Sequence, residues 1–397
     1  MRLSARVGRI SPSETLAITA KVNALRAQGR DVIGFGAGEP DFDTPDNIKD
    51  AAIKAIQSGF TKYTPVGGTD ELKDAIINKL KRDNRLEYKR SQIVVSCGAK
   101  HTLYNLAQIY FDAGDEVIIP APYWVSYPDI VTLADGTPVI VKTEEKDAFK
   151  MKPEQLAASI TARTRALILN SPSNPTGAAY SPDELKAIAQ VLLDKDILII
   201  TDDIYEKIFY AGFPFANIAN VEPKLKDRVV VVNGVSKTYA MTGWRIGYAA
   251  AAEEIASAIS KIQSQNTSNP TSIAQKAAVE ALSCDQTMVG DMAAEFKKRR
   301  DYIVAALNEI PGISCFSPEG AFYVFPNVSG IYGRSCGGKV INGSADFIDY
   351  LLDEANVAGV PGAAFGSDSH IRLSYATSLK NIEEGIRRIR EAVSKLT

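Results

Sequence analysis

Val229-Val230-Val231-Val232-Asn233-Gly234-Val235-Ser236-Lys237-Thr238-Tyr239-Ala240-Met241-Thr242-Gly243-Trp244-Arg245-Ile246-Gly247 is the densest stretch of the chain. Its opening valines are a short apolar run without alternation, the pattern of a strand buried on both faces. A loop of small residues follows and carries one lysine and one arginine. Open α/β sheets place ligands past the carboxyl ends of their strands, and Lys237 stands there. A lysine and an arginine flanked by Gly, Ser and Thr suit an amine that bonds a carbonyl and a cation that holds a phosphate. Alone, Lys237 would read as a solvated surface lysine, because lysines are mostly exposed.

Three more strand-to-loop units have the same form. The run 197–201 leads into Thr201-Asp202-Asp203-Ile204-Tyr205-Glu206. The run 166–169 leads into Asn170-Ser171-Pro172-Ser173-Asn174-Pro175-Thr176-Gly177. The run 93–96 leads into Cys97-Gly98-Ala99-Lys100 and a helical stretch to Phe111. Taken singly, these are an N-cap, a rigid turn and a helix start. Small residues at a helix start also offer free N–H groups to an anion. A further strand, 116–119, is expected to close at Pro120. Strands alternating with helical patterns give an α/β fold with a mostly parallel sheet. The four loops then share one sheet edge, and that convergence favours a functional site.

The C-terminal part changes character. Residues 250–307 read as Ala-rich and mostly helical, interrupted at Asn269-Pro270. Short strands are expected at 313–316, 321–325, 357–360 and 371–375, with a helix near 345–354 and a final helix from Lys380. That is an α+β domain, with its boundary near residue 290.

Composition excludes several classes. The 397 residues carry 45 Lys plus Arg against 47 Asp plus Glu, a net charge of −2. Neither sign dominates, so a nucleic-acid or membrane-surface role is disfavoured. His101 and His370 are the only histidines, which leaves no multi-His metal site. The four cysteines form no CxxC pair and read as reduced thiols of a cytoplasmic chain. No apolar run reaches the length of a membrane span. Residues 1–10 have arginines without an apolar core behind them, so no secretory signal is expected there.

Three motif-like stretches fail on context. Gly333-Arg334-Ser335-Cys336-Gly337 fits a nucleophile elbow but lacks the buried strand before it and the helix after it. Residues 333–339 fit a phosphate loop, but Val340 follows where Ser or Thr would ligate magnesium. Both are expected to be one flexible surface loop. Gly34-Phe35-Gly36-Ala37-Gly38-Glu39 is no dinucleotide fingerprint, since Glu39 replaces the last glycine.

With Pro12-Ser13-Glu14-Thr15, Gly36-Ala37-Gly38-Glu39-Pro40-Asp41-Phe42, Asn174-Pro175-Thr176-Gly177, the Asp202/Tyr205 pair, the Lys237 segment and Arg372-Leu373-Ser374-Tyr375-Ala376-Thr377, the chain resembles a fold-type I pyridoxal-phosphate enzyme. Specifically, it is similar to class I aminotransferases of the bacterial aspartate aminotransferase branch, over nearly its whole length. The resemblance implies an N-terminal arm with part of a small domain (1–44), a large cofactor-binding domain (45–290) and a C-terminal small domain (291–397). The large domain would hold a mostly parallel seven-stranded sheet between helices.

The resemblance also implies roles. The catalytic residues would be Lys237, Asp202 and Tyr205. Lys237 would hold pyridoxal 5'-phosphate and move the Cα proton. Asp202 would face the pyridine nitrogen, while Asp203, by strand alternation, points elsewhere. Tyr205 and Asn174 would bond the phenolic oxygen, and Trp124 would stack on the ring. Arg245, Ser236 and the amides of Gly98 and Ala99 would meet the phosphate. Gly234 stands where much of the class carries a Ser or Thr hydroxyl. Tyr63 would reach the phosphate of a neighbouring subunit, so a homodimer would share its active sites. Arg372 and the Gly38 backbone would hold the substrate α-carboxylate, with Trp124 and Asn174 alongside. Lys100, Ser13 and Thr15 would read a distal carboxylate.

The implied reaction is reversible amino transfer between L-aspartate and 2-oxoglutarate, giving oxaloacetate and L-glutamate by a ping-pong Schiff-base mechanism. Prephenate is an alternative substrate, although Ser11 stands where members using it carry a basic residue. A β-lyase or a cyclopropane-forming synthase could use the same residues. A ligand-sensing regulator would need a DNA-binding domain, and residues 1–30 are too short and insufficiently basic for one.

Overall fold

The computed structural model describes residues 2–397. Its centre is a seven-stranded sheet, numbered here in chain order: β1 (Ile93–Ser96), β2 (Glu116–Ala121), β3 (Thr137–Lys142), β4 (Thr164–Asn170), β5 (Leu198–Asp202), β6 (Val229–Gly234) and β7 (Gly247–Ala250). The spatial order is β1-β7-β6-β5-β4-β2-β3. Neighbours from β6 to β3 pair in parallel, and only β7 runs antiparallel to its neighbours β6 and β1.

Both faces of the sheet are buried, and strand alternation divides its side chains between two cores. Leu167, Leu169, Ile199, Val229 and Val231 pack into one cluster. Ala166, Ile168, Leu198, Ile200, Val230 and Val232 pack into the other. Each fully buried Val, Leu or Ile contributes about 1.5–3 kcal/mol relative to exposure. That is why these runs are apolar without interruption.

Several strands depart from the sequence expectation. β2 continues through Pro120 to Ala121. Its pairing with β4 ends at Ile118, and beyond that it pairs only with β3, so the missing N–H lies past the last rung on the β4 side. β3 is an edge strand, and Pro138 is tolerated there for the same reason. β7 consists of Gly, Tyr and two Ala, a composition with weak β-propensity, and it sits just before the expected helical stretch, where no strand was expected. The following stretch holds three helices, Glu253–Asn266, Ser272–Ser283 and Thr287–Asn308. The second break coincides with Asp285, whose carboxylate accepts the Thr287 N–H at 2.7 Å.

A third core lies around the C-terminal elements and includes Phe296, Phe322, Tyr323, Leu351 and Leu373. The helix Thr287–Asn308 spans two cores, with Val289 on the sheet side and Phe296, Ile303 and Leu307 in the C-terminal cluster. Here Ile371–Ser374 pairs antiparallel with Val360–Pro361 and Tyr323–Val324. Ile33–Gly34 pairs in parallel with Val357–Ala358, which ties the N-terminal segment to this core. Residues 333–340, expected as a loop, form a small hairpin of Ser335–Cys336 and Lys339–Val340. Among the described residues, no helix is long and apolar enough to cross a membrane.

Candidate active site

Asn170, Asp202 and Gly234 end three adjacent parallel strands, so the residues after them share one edge of the sheet. A cavity of about 370 Å³ opens there. Of the residues expected at the site, Ser13, Thr15, Gly38, Ala99, Lys100, Trp124, Asn174, Asp202, Tyr205, Ser236, Lys237, Arg245 and Arg372 line it. Gly98 lies directly beneath, against Arg245. Tyr63 is outside, with 90% of its surface exposed.

Asp202 is 4% exposed. Tyr127 Oη donates to its Oδ2 at 2.7 Å, and the Ile204 N–H donates to Oδ1 at 3.3 Å. Burial pushes its pKa up to about 6 against the opposing effects of Tyr127, Ile204 and the Lys237 charge. Asp203 turns the other way. It accepts from Asn217 Nδ2 at 2.7 Å, and burial, followed by the Glu206 charge, raises its pKa far above the ordinary carboxylate range. Glu206 is itself paired with the buried Lys79.

Lys237 Nζ donates to the Gly38 carbonyl at 2.6 Å. Burial lowers its pKa to about 8; Glu39 opposes this, and the Arg245 and Arg372 charges add to it. An amine so placed is uncharged far more often near neutral pH than an exposed lysine.

Arg372 is 1% exposed. Its Nη2 donates to Gly36 O at 2.8 Å and its Nη1 to Asn174 Oδ1 at 3.0 Å. The guanidinium lies 4.6 Å from the Tyr323 ring centroid and 5.0 Å from that of Phe365. Its Nε is buried without a hydrogen-bond partner, and no carboxylate pairs with it among the described residues. A buried cation without a counter-charge is costly, so this one suits an incoming anion. Tyr205 Oη lies 2.8 Å from Tyr323 Oη, and Tyr323 closes this side of the cavity.

A second group of donors lies at the start of the helix Ala99–Tyr110. Gly98 has φ 89°, a conformation that glycine adopts without strain. A Cβ there would stand 2.9 Å from Arg245 Cζ. The glycine therefore lets the guanidinium lie on the helix entrance, where Arg245 donates to Thr242 O at 2.8 Å and to Cys97 O at 3.4 Å. One expectation needs correction here. The Gly98 N–H is taken by Ser96 O at 2.8 Å. The amides left without a backbone acceptor are those of Ala99 and Lys100, two of the four that any helix start leaves free. Gly234 has a steric reason as well, since a Cβ on it would meet Ile246 O at 2.8 Å.

Lys100 Nζ sits 4.8 Å from the Trp124 ring centroid. Burial, and then Arg245, lower its pKa, while Asp129 acts in the opposite direction. Ser13 and Thr15 reach the same cavity from the N-terminal side. Lys100, Lys237, Arg245 and Arg372 thus face the carboxylates of Glu39 and Asp202, an excess of positive charge. The donor set suits a ligand with one phosphate and carboxylates, and a buried carboxylate beside a buried amine suits a basic ring bearing a carbonyl. Pyridoxal 5'-phosphate fits these residues.

Sequence reasoning missed several wall residues: Tyr127, Tyr323, Asn170, Glu39 and Thr242. Tyr127 follows Trp124 at a spacing of three and could have been found by that helical spacing. Asn170 closes a strand already identified. Glu39, which accepts from Thr242 Oγ1 at 2.7 Å, lies inside a quoted motif. Tyr323 comes from a distant strand and carries no local signal.

Comparison with known proteins agrees with this geometry. The family described as aminotransferase class I and II matches residues 30–389. The chain is 53% identical to an aspartate aminotransferase of Bacillus subtilis over 395 residues, covering 100% of both chains. It is also 53% identical to an aspartate/prephenate aminotransferase of Nitrosomonas europaea, covering 99% of this chain and 100% of that one. A crystal structure of the aspartate aminotransferase from Rhizobium meliloti superposes with a TM-score of 0.97 at 47% identity, covering 100% of both chains. The Thermus thermophilus aspartate aminotransferase with maleate gives 0.93 at 40% identity, covering 99% of this chain and 100% of that one.

Proposed function

We propose that this chain, which belongs to the class I and II aminotransferase family, moves an amino group reversibly between L-aspartate and 2-oxoglutarate, giving oxaloacetate and L-glutamate. The observation that carries this reading is a desolvated Lys237 in one cavity with the buried, unpaired Arg372.

Members of the family depend on pyridoxal 5'-phosphate, and so does this chain. When bound, the cofactor supplies the carbonyl carbon that exchanges amines and the electron sink for the pair left on the substrate Cα. Lys237 would hold that carbon through Nζ. As a free amine, Lys237 takes the proton from Cα and returns it, as a general base and then a general acid. Its pKa near 8 suits both directions near neutral pH.

Asp202 would keep the ring nitrogen protonated, and Tyr205 and Asn174 would bond the phenolic oxygen. Trp124 would cover the ring face. Arg245, Ser236 and the Ala99 and Lys100 amides would hold the phosphate. Arg372 would grip the α-carboxylate with its planar donor pair, which orients Cα–H toward Lys237. The Gly38 carbonyl accepts from Nζ and holds the amine in the cavity, and the Gly38 backbone would assist Arg372 with the α-carboxylate. Lys100, Ser13 and Thr15 would read the second carboxylate.

The division at 44 and 290 is part of this proposal, as are the homodimer and the cytoplasmic setting. Tyr63, Leu3 and Leu16 are large apolar side chains left exposed by the single chain. A second copy would cover them, and Tyr63 would then reach the partner's phosphate. The equal identity to an aspartate/prephenate aminotransferase supports prephenate as a second substrate.

A panel of amino donors with 2-oxoglutarate tests the reading. Aspartate should give the highest kcat/KM. No transfer from aspartate, or release of ammonia and pyruvate from an S-substituted cysteine, whose thiol leaves from Cβ, in place of amino transfer, would reject it.

A further inference from the structure

His101 has no task in the chemistry above, yet both of its ring nitrogens are engaged. The Cys97 backbone N–H lies 3.1 Å from Nδ1. An N–H can only donate, so Nδ1 must present a lone pair. Nε2 lies 3.2 Å from Asn266 Oδ1. The far end of the chain of contacts sets its polarity. Gln263 Nε2 donates to two backbone carbonyls, Val66 O at 2.6 Å and Val95 O at 2.7 Å. Carbonyls can only accept, so Gln263 turns its Oε1 to Asn105 Nδ2 at 3.3 Å. Asn105 Oδ1 then accepts from Asn266 Nδ2 at 2.8 Å. That leaves Asn266 Oδ1 to accept from Nε2–H. Backbone atoms at both ends therefore demand the same neutral tautomer.

Cys97 is held on its other side too. Its carbonyl accepts from Arg245 Nη2, and the Gly98 bend follows immediately. We infer that His101, as the Nε2–H tautomer, is a positioning residue for the phosphate cradle. Its Nδ1 lone pair fixes the bend that turns the Ala99 and Lys100 amides and the Arg245 guanidinium onto one anion. Burial, reinforced by the Arg245 charge and opposed by the Asn266 bond, holds its pKa below the usual histidine value, which agrees with a neutral ring. The inference rests on the reading that this cradle takes the cofactor phosphate.

The test compares pyridoxal 5'-phosphate with pyridoxal, which lacks the phosphate, as ligands of the cofactor-depleted full chain. His101→Leu leaves the Cys97 N–H without its partner. It should weaken pyridoxal 5'-phosphate roughly 5- to 150-fold and leave pyridoxal nearly unchanged. His101→Gln keeps an acceptor and a donor and should restore most of the affinity. Equal losses for both ligands, or no loss, would overturn the inference. If His101→Leu does not fold, ring-¹⁵N NMR of the wild-type chain decides, with the two histidines assigned through His101→Gln. A His101 ring protonated at Nε2 alone is expected, and a proton on Nδ1 overturns the inference. Failure of the wild-type chain to take up pyridoxal 5'-phosphate would reject the proposed function itself, whereas the other outcomes bear on His101 only.

Discussion

Tyr127 donates its phenolic hydrogen to Asp202 at 2.7 Å, and this bond joins the start of the helix Ser126–Leu133 to the end of the strand Leu198–Asp202. It is the strongest local influence that holds a fully desolvated carboxylate toward its ionised form. A carboxylate there is useful to a cofactor ring only while charged.

Tyr127→Phe should therefore raise the Asp202 pKa above its value of about 6. A hydrogen bond to a charged group contributes about 1.5–3 kcal/mol, which corresponds to roughly 1–2 pH units. Carboxyl-¹³C NMR titration of the cofactor-free protein measures it directly. Amino transfer should fall at the same time, more at pH 6.5 than at pH 8.5. An unmoved Asp202 titration would show that the bond does not stabilise the charge.

The same carboxylate gives a stability signature. Its pKa in the folded chain, about 6, lies above the ordinary 3.8, so the folded state binds more protons between those values. The contribution of Asp202 is complete below about pH 4 and is lost as pH rises through about 6. Asp202→Asn removes that loss. In urea unfolding of the cofactor-free protein, the variant should gain on wild type by about 3 kcal/mol between pH 4 and 6, then stay level. Asp203 is also raised, chiefly by burial and the Glu206 charge, which both proteins keep; the Asp202 charge is the smallest of its causes. A pH-independent difference would contradict the burial argument.

Substrate selectivity separates two of the cations. Every amino acid offers an α-carboxylate, so Arg372→Lys should lower kcat/KM for aspartate and alanine alike, because a lysine cannot form the paired bonds. Lys100→Ala should lower kcat/KM for aspartate alone, by about 10- to 150-fold for one charge-assisted bond of about 1.5–3 kcal/mol. Alanine should be nearly unaffected. Equal losses in Lys100→Ala would assign that lysine to the phosphate or to the fold.

The parts of the molecule legible in the sequence share a physical cause. Runs such as Val229 to Val232 are uniformly apolar because both faces of their strands are buried. Asp202, which ends one such strand, and Lys237, just past the end of another, face one cavity because parallel strands end on one edge. Three kinds of feature were not legible. Gly247–Ala250 is a strand by pairing with its neighbours rather than by composition. The Tyr205–Tyr323 contact joins two residues of one core that stand 118 positions apart in the chain, and no local spacing announces it. The Gly98 amide is spent on Ser96 because of a bend that only the backbone geometry reveals.

The central claim is that Lys237 is the amine that holds the cofactor, and trapping that bond tests it most directly. Borohydride treatment of the chain loaded with pyridoxal 5'-phosphate, followed by peptide mass mapping, should place one pyridoxyl group on Lys237. Prior addition of aspartate should prevent the label by converting the cofactor to its amine form. A stable label on Lys100 or any other lysine, with Lys237 unmodified, would contradict the account.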